Sequence, residues 1–129
     1  MSHADEPRFL SVTDWHARHE TYESRRLKMI GWFSIPTSDF STVWNELAAE
    51  PDGGAIIGAW IGLLHVAAGA KPRGLLIKPD GKPHTPKSLA AYCRLDERLV
   101  DAAIAKLLQL GLLTADVTLP GPPANSAGT

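Results

Sequence analysis

From Ala55 to Ala70 the chain reads Ala-Ile-Ile-Gly-Ala-Trp-Ile-Gly-Leu-Leu-His-Val-Ala-Ala-Gly-Ala, apolar on every side except at His65. No other stretch limits the fold as much. A segment without a polar face has no place on a surface, so it predicts a central helix around which the rest of the chain is built. Its sixteen residues would rise about 24 Å, short of the roughly 30 Å hydrocarbon layer, so a transmembrane reading loses and no membrane partner is expected. Gly58 and Gly62 read as places where a neighbouring helix comes close. His65 reads as a hydrogen-bonded core histidine.

A central helix needs enough chain to cover it. The 129 residues, 44% apolar and 21% charged, suit one folded domain hiding roughly two-thirds of the surface of its unfolded chain. That domain is expected over 9–117, between a flexible amino terminus, 1–8, and a disordered Pro/Gly/Ala tail, 118–129. Met1 to Pro7 lacks the build of a signal peptide, and the lone Cys93 excludes an intrachain disulfide and a multi-cysteine zinc site. A cytoplasmic protein is the expectation.

The flanking elements follow from pattern. Phe9 to Thr13 is short and rich in β-formers, so it predicts a strand that pairs late in the chain. Trp15 to Glu23 reads as helix. Arg25 to Pro36 could be a short helix or extended chain. Thr37-Ser38-Asp39 caps a helix ending at Pro51, with Phe40, Val43, Trp44, Leu47 and Ala48 on one inward stripe. Arg73 to Lys78 reads as a strand running into a Pro79-Asp80-Gly81 turn. Thr85 then caps a two-turn helix with Pro86 in its first turn and with Leu89, Ala90 and Cys93 on one face. Asp96 caps the last helix, whose stripe is Val100, Ala103, Ile104, Leu107 and Leu108, and Gly111 ends it. Leu112 to Val117 closes the pattern as a strand. A buried Cys93 on the inward stripe would be inert packing.

Two helices joined by a tight turn, the second running into a strand, give the order of a winged helix-turn-helix, mainly α with a small β component. Charge is distributed unevenly along this order. The net charge is −1, so no global field draws the chain to nucleic acid. Yet Lys71, Arg73, Lys78, Lys82, Lys87 and Arg94 stand against Asp80 alone between positions 71 and 94, whereas 37–70 carries only acids. Arg73, Lys78, Lys82, Lys87 and Arg94 are therefore candidate DNA-binding residues, as phosphate contacts, while Arg98 and Lys106 lie on the outward face of the last helix. The bland alternative is a solvated loop and a lysine-guarded edge. The last helix is a weak reader of bases, since its first turn holds Asp96 and Glu97, ordinary partners of a helix dipole.

Catalytic patterns are sparse. His16 and His19 lie near one helical face beside Glu20, but no third protein ligand for a metal is indicated. There is no Gly-rich phosphate loop, nucleophile elbow or paired-carboxylate signature. The expectation is a protein that is not an enzyme, without cofactor, metal or small-molecule substrate.

Tyr22 to Lys28 leading to Trp32 and Ile35-Pro36, Gly58-Ala59-Trp60, Arg73-Gly74-Leu75, Gly81 to Ala90 and Leu107 to Leu113 together resemble a group of uncharacterised bacterial and prophage-like helix-turn-helix proteins. The likeness covers nearly all of Phe9 to Ala115. More distantly, Arg8 to Trp15 is similar to the start of phage replisome-organiser proteins, whose amino-terminal domains are winged helices. The resemblance implies a module of phage or plasmid DNA metabolism that binds DNA or self-associates, with Lys87, Arg94, Arg98 and Lys106 facing DNA. Two departures matter: His16 to Tyr22 replaces the aromatic, glutamine and histidine run of those proteins, and a second domain like theirs is not expected here. An accessory DNA-binding protein in replication or transcription is the first expectation. A winged-helix interaction module, pairing with itself or with a replication protein, is the second.

Overall fold

The computed structural model describes residues 9–36 and 43–115. Along the chain come β1 (Leu10–Val12), α1 (Trp15–His19), α2 (Tyr22–Arg25), α3 (Val43–Ala48), α4 (Gly53–Gly69), α5 (Pro86–Cys93), α6 (Glu97–Gln109) and β2 (Leu113–Ala115). The protein is thus mainly helical with a small antiparallel sheet. The terminal segments 1–8 and 118–129, and the Thr37-Ser38-Asp39 cap with Phe40, lie outside the described residues.

Helix α4 is the centre expected from its sequence. It packs against α3, α5, α6 and β1, and Ala59, Trp60, Leu63, Leu64 and Ala67 are fully enclosed. Each large side chain buried there contributes about 1.5–3 kcal/mol relative to exposure. The helix is not covered all round, however. Gly58, Ile61, His65 and Gly69, at helical spacing, form an open strip. Three of these four side chains are absent or polar, so leaving the strip wet costs little. His65 is accordingly exposed, not a core histidine as its apolar neighbours suggested. Gly62 does admit a neighbour, since a Cβ there would lie 2.5 Å from Cys93 Sγ on α5, whereas one on Gly58 would meet nothing. No helix among the described residues is long and apolar enough to cross a membrane.

The flanking helices begin and end for local reasons. Thr85 and Ser88 form a reciprocal capping box that spans Pro86 in the first turn. Asp96 accepts the Arg98 amide at 2.8 Å and starts α6, which buries Val100, Ala103, Ile104 and Leu107 and leaves Leu108 half-buried. The expected single helix after Trp15 is split. Thr21 caps a second helix through a box with Ser24, and Glu20 adopts extended backbone between the two. After α2 the chain to Pro36 is irregular, tied back by the Ser34 amide on the His19 carbonyl at 2.9 Å. In α3 Leu47 is fully buried, whereas Ala48, at the last residue before the chain turns into α4, is exposed.

Strand β1 pairs antiparallel with β2, Leu10 opposite Ala115 and Val12 opposite Leu113, as the opening sequence predicted. Its other edge meets Leu75 through a lone bridge, and Ile77 meets Pro83 through another. The segment expected as a strand from Arg73 to Lys78 is therefore held at isolated bridges. Leu76 enters the main core, while Leu75 and Ile77 form a satellite cluster with Ala70 and Phe9. Both faces are covered, which explains an unbroken apolar run where a half-buried strand would alternate.

Candidate functional site

Two polar regions stand out. The first is closed around Glu20, whose carboxylate is buried. One oxygen accepts from Trp15 Nε1 and lies 3.2 Å from both His16 Nδ1 and Arg73 Nε; the other accepts from Ser24 Oγ at 3.2 Å. The Arg73 Nη2 also donates to the carbonyls of Ser24 and Arg25, at 3.1 and 3.3 Å. Gly74 lets this arginine reach inward, for it has φ 100° and a Cβ on it would fall 2.9 Å from Trp15 Cβ. A buried carboxylate enclosed by a guanidinium and three further donors is a structural cluster. Among the described residues no group of three or more His, Cys, Asp or Glu side chains could hold a metal ion.

The second region is open and basic. Lys78 and Lys82 bracket a hairpin closed by Lys78 N–H on the Lys82 carbonyl at 2.8 Å, with Gly81 N–H on Lys78 at 2.8 Å. The Asp80 carboxylate accepts the Lys82 amide at 2.9 Å. Pro83 then bridges to Ile77, and Lys87 emerges exposed in the first turn of α5. At the far end of α5 the turn into α6 is three residues, made possible by Arg94 in the left-handed region at φ 57°. Its side chain is exposed. None of Lys78, Lys82, Lys87 or Arg94 is held by a carboxylate among the described residues.

The seven candidate cations therefore divide. Lys78, Lys82 and Lys87 gather at the hairpin end of α5, and Arg94 and Arg98 at the turn. Arg98 is exposed beside its own cap, Nε 3.4 Å from Asp96 Oδ1, and its backbone amide first, then this guanidinium, hold the Asp96 carboxyl below its ordinary range. Arg73 is engaged inside by Glu20. Lys106 reaches back to α3 and the turn after it, 3.3 Å from Glu50 and 3.7 Å from Glu46. Charge counting offered Arg73 as a phosphate contact and the resemblance offered Lys106, and neither registers a partner distant in sequence.

Charge counting also missed the aromatic part of this surface. Tyr92, 52% exposed, stands between two histidine rings, its hydroxyl 3.1 Å from His65 Nδ1 and its ring centroid 6.3 Å from each imidazole. His84 Nδ1 meets Ser88 Oγ at 2.8 Å. Burial and then the charge of Lys78 push the His84 pKa down, against a smaller upward pull from Asp80. Beside Tyr92 opens a hollow of about 360 Å³ bordered by Lys71, Lys78 and His84 over a floor of Val66, Ala70 and Ile77. A signal was present in the sequence: Ile61, His65 and Gly69 fall at four-residue spacing and interrupt the large side chains of α4. Cys93 is half-buried on the other side of α5, against Gly62, and burial pushes its thiol pKa up, the setting of an unreactive thiol.

No protein-family model, no curated protein and no solved structure matches this chain.

Proposed function

We propose that this chain is a non-enzymatic DNA-binding protein built on a winged-helix unit, in which α5 and α6 are the helix-turn-helix pair and the Lys78–Lys82 hairpin serves as a wing. One observation carries the reading: Lys82, Lys87 and Arg94 are exposed, without a carboxylate partner among the described residues, at the hairpin, the start of α5 and the turn. Cations so placed neutralise phosphates and release counterions, giving affinity with little sequence preference. The acidic first turn of α6, with Asp96 and Glu97, argues against deep reading of the major groove by that helix. An accessory role in phage-type replication or transcription fits the resemblance of the sequence.

Fluorescence anisotropy on a labelled duplex across a salt series tests this reading. The triple variant Lys82→Glu, Lys87→Glu, Arg94→Glu should keep its fold by circular dichroism and lose low-salt binding, while the wild type shows a log–log salt slope of about −3 for three phosphate contacts. Unchanged binding in the folded variant would remove these contacts from the proposal.

A second reading has its own observation. Leu27, Met29 and Trp32 are 55%, 80% and 57% exposed on the irregular segment after α2, an apolar surface suited to self-association or to a replication partner. Under that reading the protein elutes as a dimer that Met29→Glu abolishes, and the charge reversals have no effect.

A further inference from the structure

We infer that the hollow beside Tyr92 is a seat for an unpaired nucleotide of single-stranded DNA, with the base against the Tyr92 ring and the phosphate between Lys71 and Lys78. This rests on the DNA-binding reading and gives it a strand preference. The geometry supplies the three parts such a seat needs. Its volume of about 360 Å³ lies within the usual range of ligand sites. The apolar floor of Val66 and Ile77 removes one face of a flat ring from water, while Tyr92 contributes a half-exposed aromatic ring to the border for the base to pack against. The two lysines border it, and no carboxylate holds either among the described residues.

An apolar peptide would leave both ammonium groups facing its side chains, so the lining favours an anion that carries a ring. Duplex DNA presents phosphates but keeps its base faces stacked, and so cannot use the floor. A single strand offers both groups at once, the combination on which sequence-tolerant single-strand binding is built. The surface continues past Tyr92. A second hollow of about 160 Å³ shares Tyr92 and Gly69 with the first and carries Trp32 on its border, so the adjoining base has an aromatic ring of its own.

Anisotropy with a fluorescein-labelled oligothymidine of about twelve nucleotides, beside a labelled hairpin duplex, tests the seat. Tyr92→Ala should weaken single-strand binding about ten-fold while Tyr92→Phe, which keeps the ring, stays near wild type. Duplex binding should not change in either. A folded Tyr92→Ala protein that holds the single strand as tightly as wild type overturns the seat and leaves duplex binding through Lys82, Lys87 and Arg94 standing. Equal loss with alanine and phenylalanine also overturns it, since the ring would then contribute nothing. If the wild type binds neither probe at low salt, the DNA reading falls and the seat falls with it.

Discussion

The clusters around Glu20 and around Tyr92 draw on the same side-chain types, imidazole, aromatic ring and cation, and arrange them oppositely. Around Glu20 a tryptophan, a histidine, a serine and an arginine all converge on one buried carboxylate. Around Tyr92 two histidines flank the ring and two lysines border the hollow, with no carboxylate lining it among the described residues. The acid makes the difference. Where it is present, side chains from three segments converge on it and tie α1, α2 and the Arg73 segment together; where it is lacking, the ring and the imidazoles bond to neutral neighbours, and the lysine charges are left to whatever enters. Residue type alone therefore says little about function here, and Arg73 and Lys78, five residues apart, fall on opposite sides of the divide.

The largest test of the contrast removes the cation from the closed cluster. Arg73→Met leaves the Glu20 carboxylate buried without its main counter-charge, and chemical denaturation should register a loss of about 3–5 kcal/mol. Adding Glu20→Gln to the same chain should recover part of it, because the uncompensated charge is then gone. A loss in the single variant no larger than that of an exposed ion pair, under about 1 kcal/mol, would mean the cluster is not closed.

Gly74 probes the same region through the backbone. Its φ of 100° and the 2.9 Å approach of Trp15 Cβ to a Cβ built on it leave no room for alanine, so Gly74→Ala should cost about 1–3 kcal/mol. The comparison sharpens if Gly58→Ala, on the open strip of α4 with nothing near, is neutral or stabilising by up to about 1 kcal/mol.

This division shows which parts of the molecule were legible in the sequence. Elements governed by local chemistry were: Thr85 before Pro86, Asp96 before α6, Gly111 after it, and the stripe Val100 to Leu107 all act through neighbours within a few residues. The β1–β2 pairing was legible because a short strand at each end of the domain has few partners to choose from. What escaped was set by tertiary contact. The split at Glu20 follows from that residue's extended backbone and from its side chain being drawn to Arg73, fifty-three positions later. Likewise the exposure of His65 depends on which side of α4 its neighbours leave uncovered, and periodicity cannot tell an apolar helix which side that is. Among the seven expected cations, Arg73 and Lys106 were placed by acids on other elements, and Tyr92 went unremarked because a tyrosine on a short helix reads as packing until its exposure is known.

On the open side, stability and binding should separate. Tyr92→Ala removes a half-exposed ring from a helix that tolerates alanine, so its unfolding free energy should stay within about 0.5 kcal/mol of wild type. A loss comparable to that of Arg73→Met would show that Tyr92 is a structural strut between α4 and α5 and would erase the contrast with the Glu20 cluster.

The smallest effect is a pH dependence. Burial and the nearby Lys78 favour neutral His84 in the folded chain, Asp80 opposing them weakly, so its folded pKa lies below the ordinary 6.5. As pH falls through 6.5, the unfolded chain therefore takes up the proton first and stability declines, and the decline ends once pH passes below the folded value. Above 6.5 the residue contributes no slope. Because His84 is partly exposed, the loss should be less than about 1 kcal/mol. Denaturation midpoints between about pH 7.5 and 5.5, read for wild type and His84→Asn, isolate it from other titrating groups. A wild type that loses no more than the variant would show that the imidazole is as well solvated as in the unfolded chain. An anion placed between Lys71 and Lys78 favours the protonated ring, so in its presence the wild-type slope should shrink toward that of the variant.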